Sequence, residues 1–353
     1  MGNIIKAQRG TKDVFGEEIL IWQNIEQMAS ELFERANYGK IITPIFEATE
    51  LFARGVGDSS DIVNKEMYTF KVGGEEKSTI TLRPENTAGV ARAYIEHSIS
   101  RQSPPQKFWY FGPMFRYERP QAGRQRQFHQ VGVELFGIKE AAADAEAIAL
   151  AVAFLKNLGI EGLVAEINSL GCKACRGEYK DAIKEAVRAS LGDMCEDCLV
   201  RYEKNPLRIL DCKNKECQEV LSAPLIQNAV LCDFICKECE EHFSQLKEYL
   251  DELGVEYVSN RLLVRGLDYY SRSVFEIKSS KLGSQNAILG GGRYDSLVET
   301  LGGMPTPAVG WAMGVERLCS LINKTEARKL DYYVVSTNTQ KALGLVQELR
   351  EAG

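Results

Sequence analysis

The sequence predicts an α+β fold: an antiparallel sheet flanked by helices and interrupted by a helical insertion. Three observations point there. Runs rich in β-branched and aromatic residues gather at 107–136 and return at 261–294 and from 308 onward. Apolar residues recur with helical spacing at 17–36, and an Ala- and Leu-rich segment fills 141–158. Between these blocks, 171–254 changes to charged helical sequence with paired cysteines and no long strand. At 353 residues and 44% hydrophobic, the chain can bury the core of one large domain and part of another.

Taken in order, Ile21, Ile25, Met28 and Leu32 form a stripe that predicts an amphipathic helix over 17–36. The β-branched run from Lys40 to Glu47 predicts a strand, and Pro44 within it marks an edge strand or one at an interface. Lys107 to Phe111, Met114 to Arg119 and Phe128 to Phe136 read as successive antiparallel strands, with Pro120-Gln121-Ala122-Gly123 as the turn between the last two. Ala141 to Leu158 is helical, and Asp144 and Glu146 exclude a membrane role for it.

Beyond the insertion, Arg261 to Ile277 and Ala287 to Tyr294 are β-rich, and Ala308 to Leu321 reads as a strand running into a helix. Leu330 to Ser336 predicts a strand and Thr339 to Ala352 a helix, the opening of an α/β unit too small to bury a core. The expected organisation is a core in two parts, 1–170 and 255–329, around a Cys-rich helical insertion at 171–254. Residues 330–353 are then the start of a truncated C-terminal α/β domain.

A net charge of −6 excludes a surface that coats nucleic acid indiscriminately, while leaving room for a local basic patch. No apolar run reaches the roughly 18 residues of a membrane span, and Met1 to Thr11 lacks the apolar centre of a signal peptide, so a cytoplasmic protein with no membrane partner is expected. All the cysteines but Cys319 fall between Cys172 and Cys239, which in such a chain suggests reduced thiols or metal more than disulfides.

The chemistry-bearing residues gather in a few places. Arg116, Arg119, Arg124 and Arg126 surround the single acid Glu118, and guanidinium forks suit phosphates. On strand alternation Arg116 and Glu118 share one face, and Gln130, Gly132 and Glu134 lie opposite Val131, Val133 and Leu135. A polar side on that strand fits a polar ligand or a solvated sheet face. In Ala308 to Arg317, glycines stand where a strand feeds a helix, which lets a nucleotide approach the backbone, and Arg317 follows one turn in.

These segments resemble the signatures of class II aminoacyl-tRNA synthetases. Phe115-Arg116-Tyr117-Glu118 with its basic loop is similar to their motif 2, Gly310 followed by Gly314-Val315-Glu316-Arg317 to motif 3, and Pro44 to the motif 1 proline. Leu82-Arg83-Pro84-Glu85-Asn86-Thr87, Leu263-Val264-Arg265-Gly266-Leu267-Asp268-Tyr269-Tyr270 and Gly290-Gly291-Gly292-Arg293-Tyr294-Asp295 narrow the resemblance to the histidyl-tRNA synthetase family, from Arg9 to about Lys329. It implies a class II catalytic core with C-terminal residues belonging to an anticodon-binding domain. It also implies activation of L-histidine with ATP and Mg²⁺, transfer to histidine tRNA, and a homodimer formed around motif 1.

The same resemblance assigns roles. Glu85, Thr87 and Gln130 are expected to hold the substrate ammonium, and Glu134 with Tyr270, next to Tyr269, to read the imidazole from both sides. Arg116 is expected at the α-phosphate and Arg317 at the γ-phosphate, with Glu118 also on the ATP. Arg265 would stabilise charge developing at the α-phosphorus, so catalysis is electrostatic rather than covalent. Gln121 and Arg124 resemble the loop that meets the tRNA acceptor end; a surface loop is the other reading.

Cys172-x-x-Cys175, Cys195-x-x-Cys198 and Cys236-x-x-Cys239 have zinc-knuckle spacing, with Cys212, Cys217 and Cys232 in addition. Two readings fit: a tetrathiolate zinc stapling the insertion, through thiols that spacing does not identify, or ordinary reduced thiols. His97, His129 and His242 are not spaced as a metal pair and receive no catalytic role. The resemblance also admits a paralogue that is a regulatory subunit of ATP phosphoribosyltransferase in histidine biosynthesis and lacks the anticodon domain. The retained Arg116, Arg265 and Arg317 favour the enzyme.

Overall fold

The computed structural model describes residues 4–57, 60, 62–73, 78–120, 124–224, 226, 234–279, 287–322 and 331–352, and the chain divides into two units, 1–323 and 324–353. The strands of the first unit are β1 (Gly39–Lys40), β2 (Phe46–Ala48), β3 (Tyr68–Val72), β4 (Ser78–Leu82), β5 (Gln106–Phe115), β6 (Gln127–Phe136), β7 (Leu163–Ser169), β8 (Tyr257–Ser259), β9 (Ser271–Ser279), β10 (Ala287–Arg293) and β11 (Ala308–Gly314). Its helices are α1 (Glu17–Arg35), α2 (Thr49–Val56), α3 (Thr87–Glu96), α4 (Ala141–Asn157), α5 (Cys175–Val187), α6 (Glu196–Lys204), α7 (Lys215–Leu221), α8 (Lys237–Glu252), α9 (Leu297–Thr300) and α10 (Val315–Cys319).

The main sheet has the order β1-β5-β6-β11-β10-β9-β7-β8 and is antiparallel except at its rims, where β1 runs parallel to β5 and β8 to β7. Its rear face carries Val131, Val133 and Leu135 of β6 and Trp311 and Met313 of β11. These pack on Ile25 and Phe33 of α1 and on Ile148 and Phe154 of α4. The opposite face carries Tyr110, Phe136 and Val274, which share a cluster with Val90 and Tyr94 of α3 and with Tyr179, Leu207 and Ile209 from 171–254. The inserted segment therefore shares its apolar core with the sheet. A small sheet, β2-β4-β3, carries the chain into the turn at Pro84-Glu85 ahead of α3.

Arg293 of β10 and Asp144 of α4 are both fully buried and ion-paired, with Nε 3.1 Å from Oδ2. Arg293 also donates to the carbonyls of Ile138 and Glu140, at 2.9 and 3.1 Å. A buried guanidinium with its protons satisfied in this way fixes the orientation of α4 on the sheet.

The structure differs from the sequence-based expectations in several elements. The predicted strand from Lys40 to Glu47 is two short strands in different sheets, because residues 41–45 around Pro44 leave the ladder. The two predicted strands 107–111 and 114–119 are one, β5, which runs through Pro113 and ends at Phe115. Pro113 is tolerated because its nitrogen faces away from β6, on the side where β1 has already ended. Arg116 and Glu118 therefore sit in irregular chain rather than on a strand.

Residues 261–270 are turns and extended chain, and β9 begins only at Ser271. The predicted stripe of α1 is rotated: Trp22, Ala29 and Phe33 are buried with Ile21 and Ile25, while Met28 and Leu32 pack at the margin. In the second unit, residues 331–336 form no strand, with Tyr332, Tyr333 and Val335 exposed and no strand paired with them among the described residues; a helix, α11 (Thr339–Glu351), follows. Leu330 lies outside the described residues.

Candidate active site

Three adjacent strands shape the centre of the site. Glu134 of β6 faces Gly310 of β11, and a Cβ on Gly310 would lie 2.0 Å from Glu134 Oε2. Glycine is therefore required there for the carboxylate to lie across the sheet. Glu134 is fully buried; its Oε1 accepts from Thr87 Oγ1 at 2.6 Å and from the Tyr110 hydroxyl at 3.4 Å, and its Oε2 from the Tyr294 hydroxyl. Burial pushes the Glu134 carboxyl up to about 8 despite these donors, with the nearby Glu85 adding to the rise.

Glu85, 4% exposed, accepts from the backbone N–H groups of Thr87 and Ala88 at 2.7 and 3.1 Å, so it caps the first turn of α3. Burial raises its carboxyl too, and those N–H groups and the Arg116 charge oppose the rise. Tyr269 and Tyr270 are buried beside this nest, their ring centroids 4.7 Å apart, and Tyr269 lies 5.5 Å from Tyr294. Burial pushes the Tyr270 phenol up to about 12, with Arg265 pulling against it. Gln130 has a buried Oε1 without a hydrogen-bond partner among the described residues, an acceptor aimed at a donor that the protein does not supply.

Next to the nest opens a cavity of about 380 Å³ lined by Arg116, Arg124, Arg208, Arg265 and Arg317, with Glu66, Glu118 and Glu276. Arg116 is held by the Pro84 carbonyl at 2.8 Å and lies over the Phe128 ring at 5.2 Å. Arg265 passes above Gly290, where a Cβ would come within 1.9 Å of its guanidinium, to pair with Glu276; its Nε is buried and has no hydrogen-bond partner among the described residues. Arg317 donates to the Ala287 carbonyl, and burial and then the charge of Arg124 lower its pKa. Like-charged groups crowded in a partly desolvated cleft suit a polyanion. A second cavity, of about 250 Å³ beside Cys175 and Tyr179, has no such convergence of one charge.

The structure thus gathers Glu85, Thr87, Glu134, Tyr269 and Tyr270 in one nest and Arg116, Glu118, Arg124, Arg265 and Arg317 around one cavity. Gln130 stands between them, paired with Gly314 on the cavity wall. Gln121 lies outside the described residues. Thr87, grouped by the sequence with the ammonium-binding residues, also hydrogen-bonds to Glu134 of the imidazole-reading pair, so the two groups meet at its hydroxyl. Sequence reasoning missed Tyr110, Tyr294, Glu276 and Arg208. Tyr294 sits in the Gly-Gly-Gly-Arg-Tyr-Asp string and was within reach; Arg208 comes from the insertion, and only packing brings it to the cavity. His129 serves structure, its backbone N–H donating to Glu316 at 2.9 Å and its ring packing on Trp22.

Comparison with known proteins agrees with this geometry. The chain matches the family described as histidyl-tRNA synthetase over residues 10–318. A histidine–tRNA ligase of Halothermothrix orenii is 49% identical over 358 residues, which cover 99% of this chain and 84% of that protein. The apo histidyl-tRNA synthetase of S. aureus superposes with a TM-score of 0.75 at 35% identity, covering 99% and 84% of the two chains. A Bacillus halodurans protein named as an ATP phosphoribosyltransferase regulatory subunit/histidyl-tRNA synthetase superposes at 0.66 with 26% identity, covering 92% and 84%. The fold is the class II synthetase-like one, and with its match running from Gly10 through Leu318 the chain belongs to the histidyl-tRNA synthetase family.

Proposed function

We propose that this chain activates L-histidine with ATP to histidyl-adenylate and transfers the histidine to the 3′ end of its cognate tRNA. The observation that carries this reading is the adjacency of a buried polar nest at Glu134 to a cavity walled by arginines, close enough that Arg116 acts on Glu85 and Arg265 on Tyr270. Glu134 and Tyr270, with Tyr269 beside them, bracket the imidazole, pairing an acceptor with a group that donates or accepts. Glu85, Thr87 and the unpartnered Gln130 Oε1 take the ammonium, so the substrate carboxylate points at the cavity.

In the cavity Arg116 holds the α-phosphate, Arg317 the γ-phosphate, and Glu118 lies at the ATP. Arg265 stabilises the charge that grows as the carboxylate attacks in line. Mg²⁺ arrives with the triphosphate, and Glu118 and Glu276, the acids nearest the arginines, fit water-mediated contact with it. The terminal tRNA hydroxyl then attacks the adenylate. Arg124, about half exposed and 3.3 Å from Glu118, together with Gln121, is assigned to the acceptor end.

Residues 1–170 and 255–329 supply this catalytic core, 171–254 the Cys-rich insertion, and 330–353 a separate part assigned to anticodon binding. Ile42, Ile45 and Phe46 around Pro44 are exposed apolar side chains, which supports a homodimer meeting there; sedimentation at micromolar concentration tests it. No described helix is long and apolar enough to cross a membrane, and we place the enzyme in the cytoplasm. The regulatory reading is disfavoured because regulation alone gives no reason for Arg116, Arg265 and Arg317 to converge. Acylation of unfractionated tRNA with each of the standard amino acids decides between them: histidine alone should be esterified, and binding of histidine without esterification or adenylation would support the regulator.

A further inference from the structure

The cysteines of the insertion sort into two sets of four. Cys172, Cys175, Cys236 and Cys239 bring their sulfurs within 4.8 Å of one another, and so do Cys195, Cys198, Cys212 and Cys217. In the first set Cys172 Sγ lies 3.5 Å from Cys175 Sγ, and Cys175 Sγ lies 4.0 Å from Cys239 Sγ. In the second, Cys195 Sγ lies 3.8 Å from Cys212 Sγ. A disulfide needs about 2.05 Å. A tetrahedral ion with metal–sulfur bonds of about 2.3 Å sets its sulfurs about 3.8 Å apart, the spacing found here.

The backbone is arranged around the sulfurs as well. The Cys236 N–H donates to Cys175 Sγ at 3.1 Å, and the Cys195 N–H to Cys217 Sγ at 3.2 Å, bonds that favour thiolate over thiol. The first set joins the start of α5 to the start of α8, chain segments more than 60 residues apart. The second joins α6 and α7 to the turn before Cys212. Ordinary buried thiols have no reason to converge four at a time on two points. Cys319 stands apart from both sets, and Cys232 lies outside the described residues.

We propose that this chain carries two structural Zn²⁺ ions, one held by Cys172, Cys175, Cys236 and Cys239 and the other by Cys195, Cys198, Cys212 and Cys217. The ligands bind as thiolates, their protons pass to solvent, and no fourth position stays open for catalysis. The ion of the first set clasps the insertion at its base. That of the second fixes the segment carrying Asn205 and Arg208, which reach Asp268 Oδ1 and the Gly266 carbonyl, each at 2.8 Å, in the stretch that follows Arg265. The sites stand on sulfur geometry alone and do not depend on the proposed reaction.

The test is elemental analysis of the full chain, purified without chelator and again after Zn²⁺ is added under reducing conditions, alongside the variants Cys198→Ser, Cys239→Ser and Cys319→Ser. Two zincs per chain are expected in the parent and in Cys319→Ser, and one in each of the other variants. Because those two may fold poorly, alkylation of the parent is followed by mass spectrometry before and after chelation. The eight cysteines should be protected until the metal is removed. A folded parent that takes up no zinc and whose eight thiols react freely overturns the proposal. A stoichiometry of one overturns the site whose cysteines react before chelation, and iron in place of zinc overturns the assignment of the metal.

Discussion

Thr87 Oγ1 donates to Glu134 Oε1 across 2.6 Å, joining the first turn of α3 to the C-terminal part of β6 at the floor of the site. The bond matters because Glu134 is fully buried and its carboxyl rises from 4.5 to about 8. Between those values the folded chain keeps a proton that the unfolded chain has lost. The group's contribution to stability therefore falls as pH rises through that window, by up to about 1.4 kcal/mol per pH unit. Glu134→Gln, neutral at every pH, should be free of this decline, so urea unfolding from pH 5.5 to 8.5 should show the variant gaining on the parent as pH rises. Thr87→Val, which removes a donor to the carboxylate, should extend the decline to higher pH without moving its onset, which the unfolded chain sets. A parallel pH dependence in all three proteins would refute the burial effect.

Gly310 allows Glu134 that position, since a Cβ would fall 2.0 Å from Oε2 and 2.5 Å from the Val133 carbonyl. Gly310→Ala should cost about 1–3 kcal/mol of stability through overpacking and lower histidine affinity in the chains that still fold. Calorimetric titration with histidine checks this. Unchanged affinity would mean that Glu134 does not read the ligand.

Arg265 threads over Gly290 to Glu276 with its Nε left without a hydrogen-bond partner among the described residues. Arg265→Gln should lower the rate of histidine-dependent ATP–pyrophosphate exchange about 10²–10³-fold while leaving the histidine dissociation constant near its parent value. Arg317→Ala should instead act mainly on the KM for ATP. The opposite pattern would place Arg265 in ground-state binding.

Much of this was legible in the sequence because the local signals are strong. Alternation alone put Gln130 and Glu134 opposite Val131, Val133 and Leu135, and the structure keeps those faces apart. Arg116 and Arg124 of the cavity stood out as part of a local basic cluster in an acidic chain. What stayed hidden depends on register and packing. Tyr110 reaches Glu134 from β5 and Tyr294 from the residue just past β10, and only the packing of these segments brings both hydroxyls to the carboxylate. The strands expected at 107–111 and 114–119 are one, because Pro113 turns its nitrogen to the side where β1 has already ended. Residues 331–336 have strand-like composition but no partner strand among the described residues, and propensity without a partner makes no sheet.

The buried pair of Arg293 and Asp144 gives a prediction separate from the chemistry. Burial alone would raise the Asp144 carboxyl, and Arg293, with help from His242, holds it below its usual range. Asp144→Ala should destabilise the fold by about 3–5 kcal/mol by stranding a buried guanidinium, and Asp144→Leu combined with Arg293→Met should recover most of that loss. Urea midpoints check it; additive losses in the double variant would show that the two residues are not coupled.

The most direct test is ATP–pyrophosphate exchange by the purified chain, with histidine supplied or replaced by other amino acids. Exchange that requires histidine and falls sharply in both Glu134→Gln and Arg265→Gln is the expected result. Exchange driven equally by other amino acids, or absent in a folded protein that still binds histidine and ATP, would contradict a histidine-activating site built on Glu134 and the arginine-lined cavity.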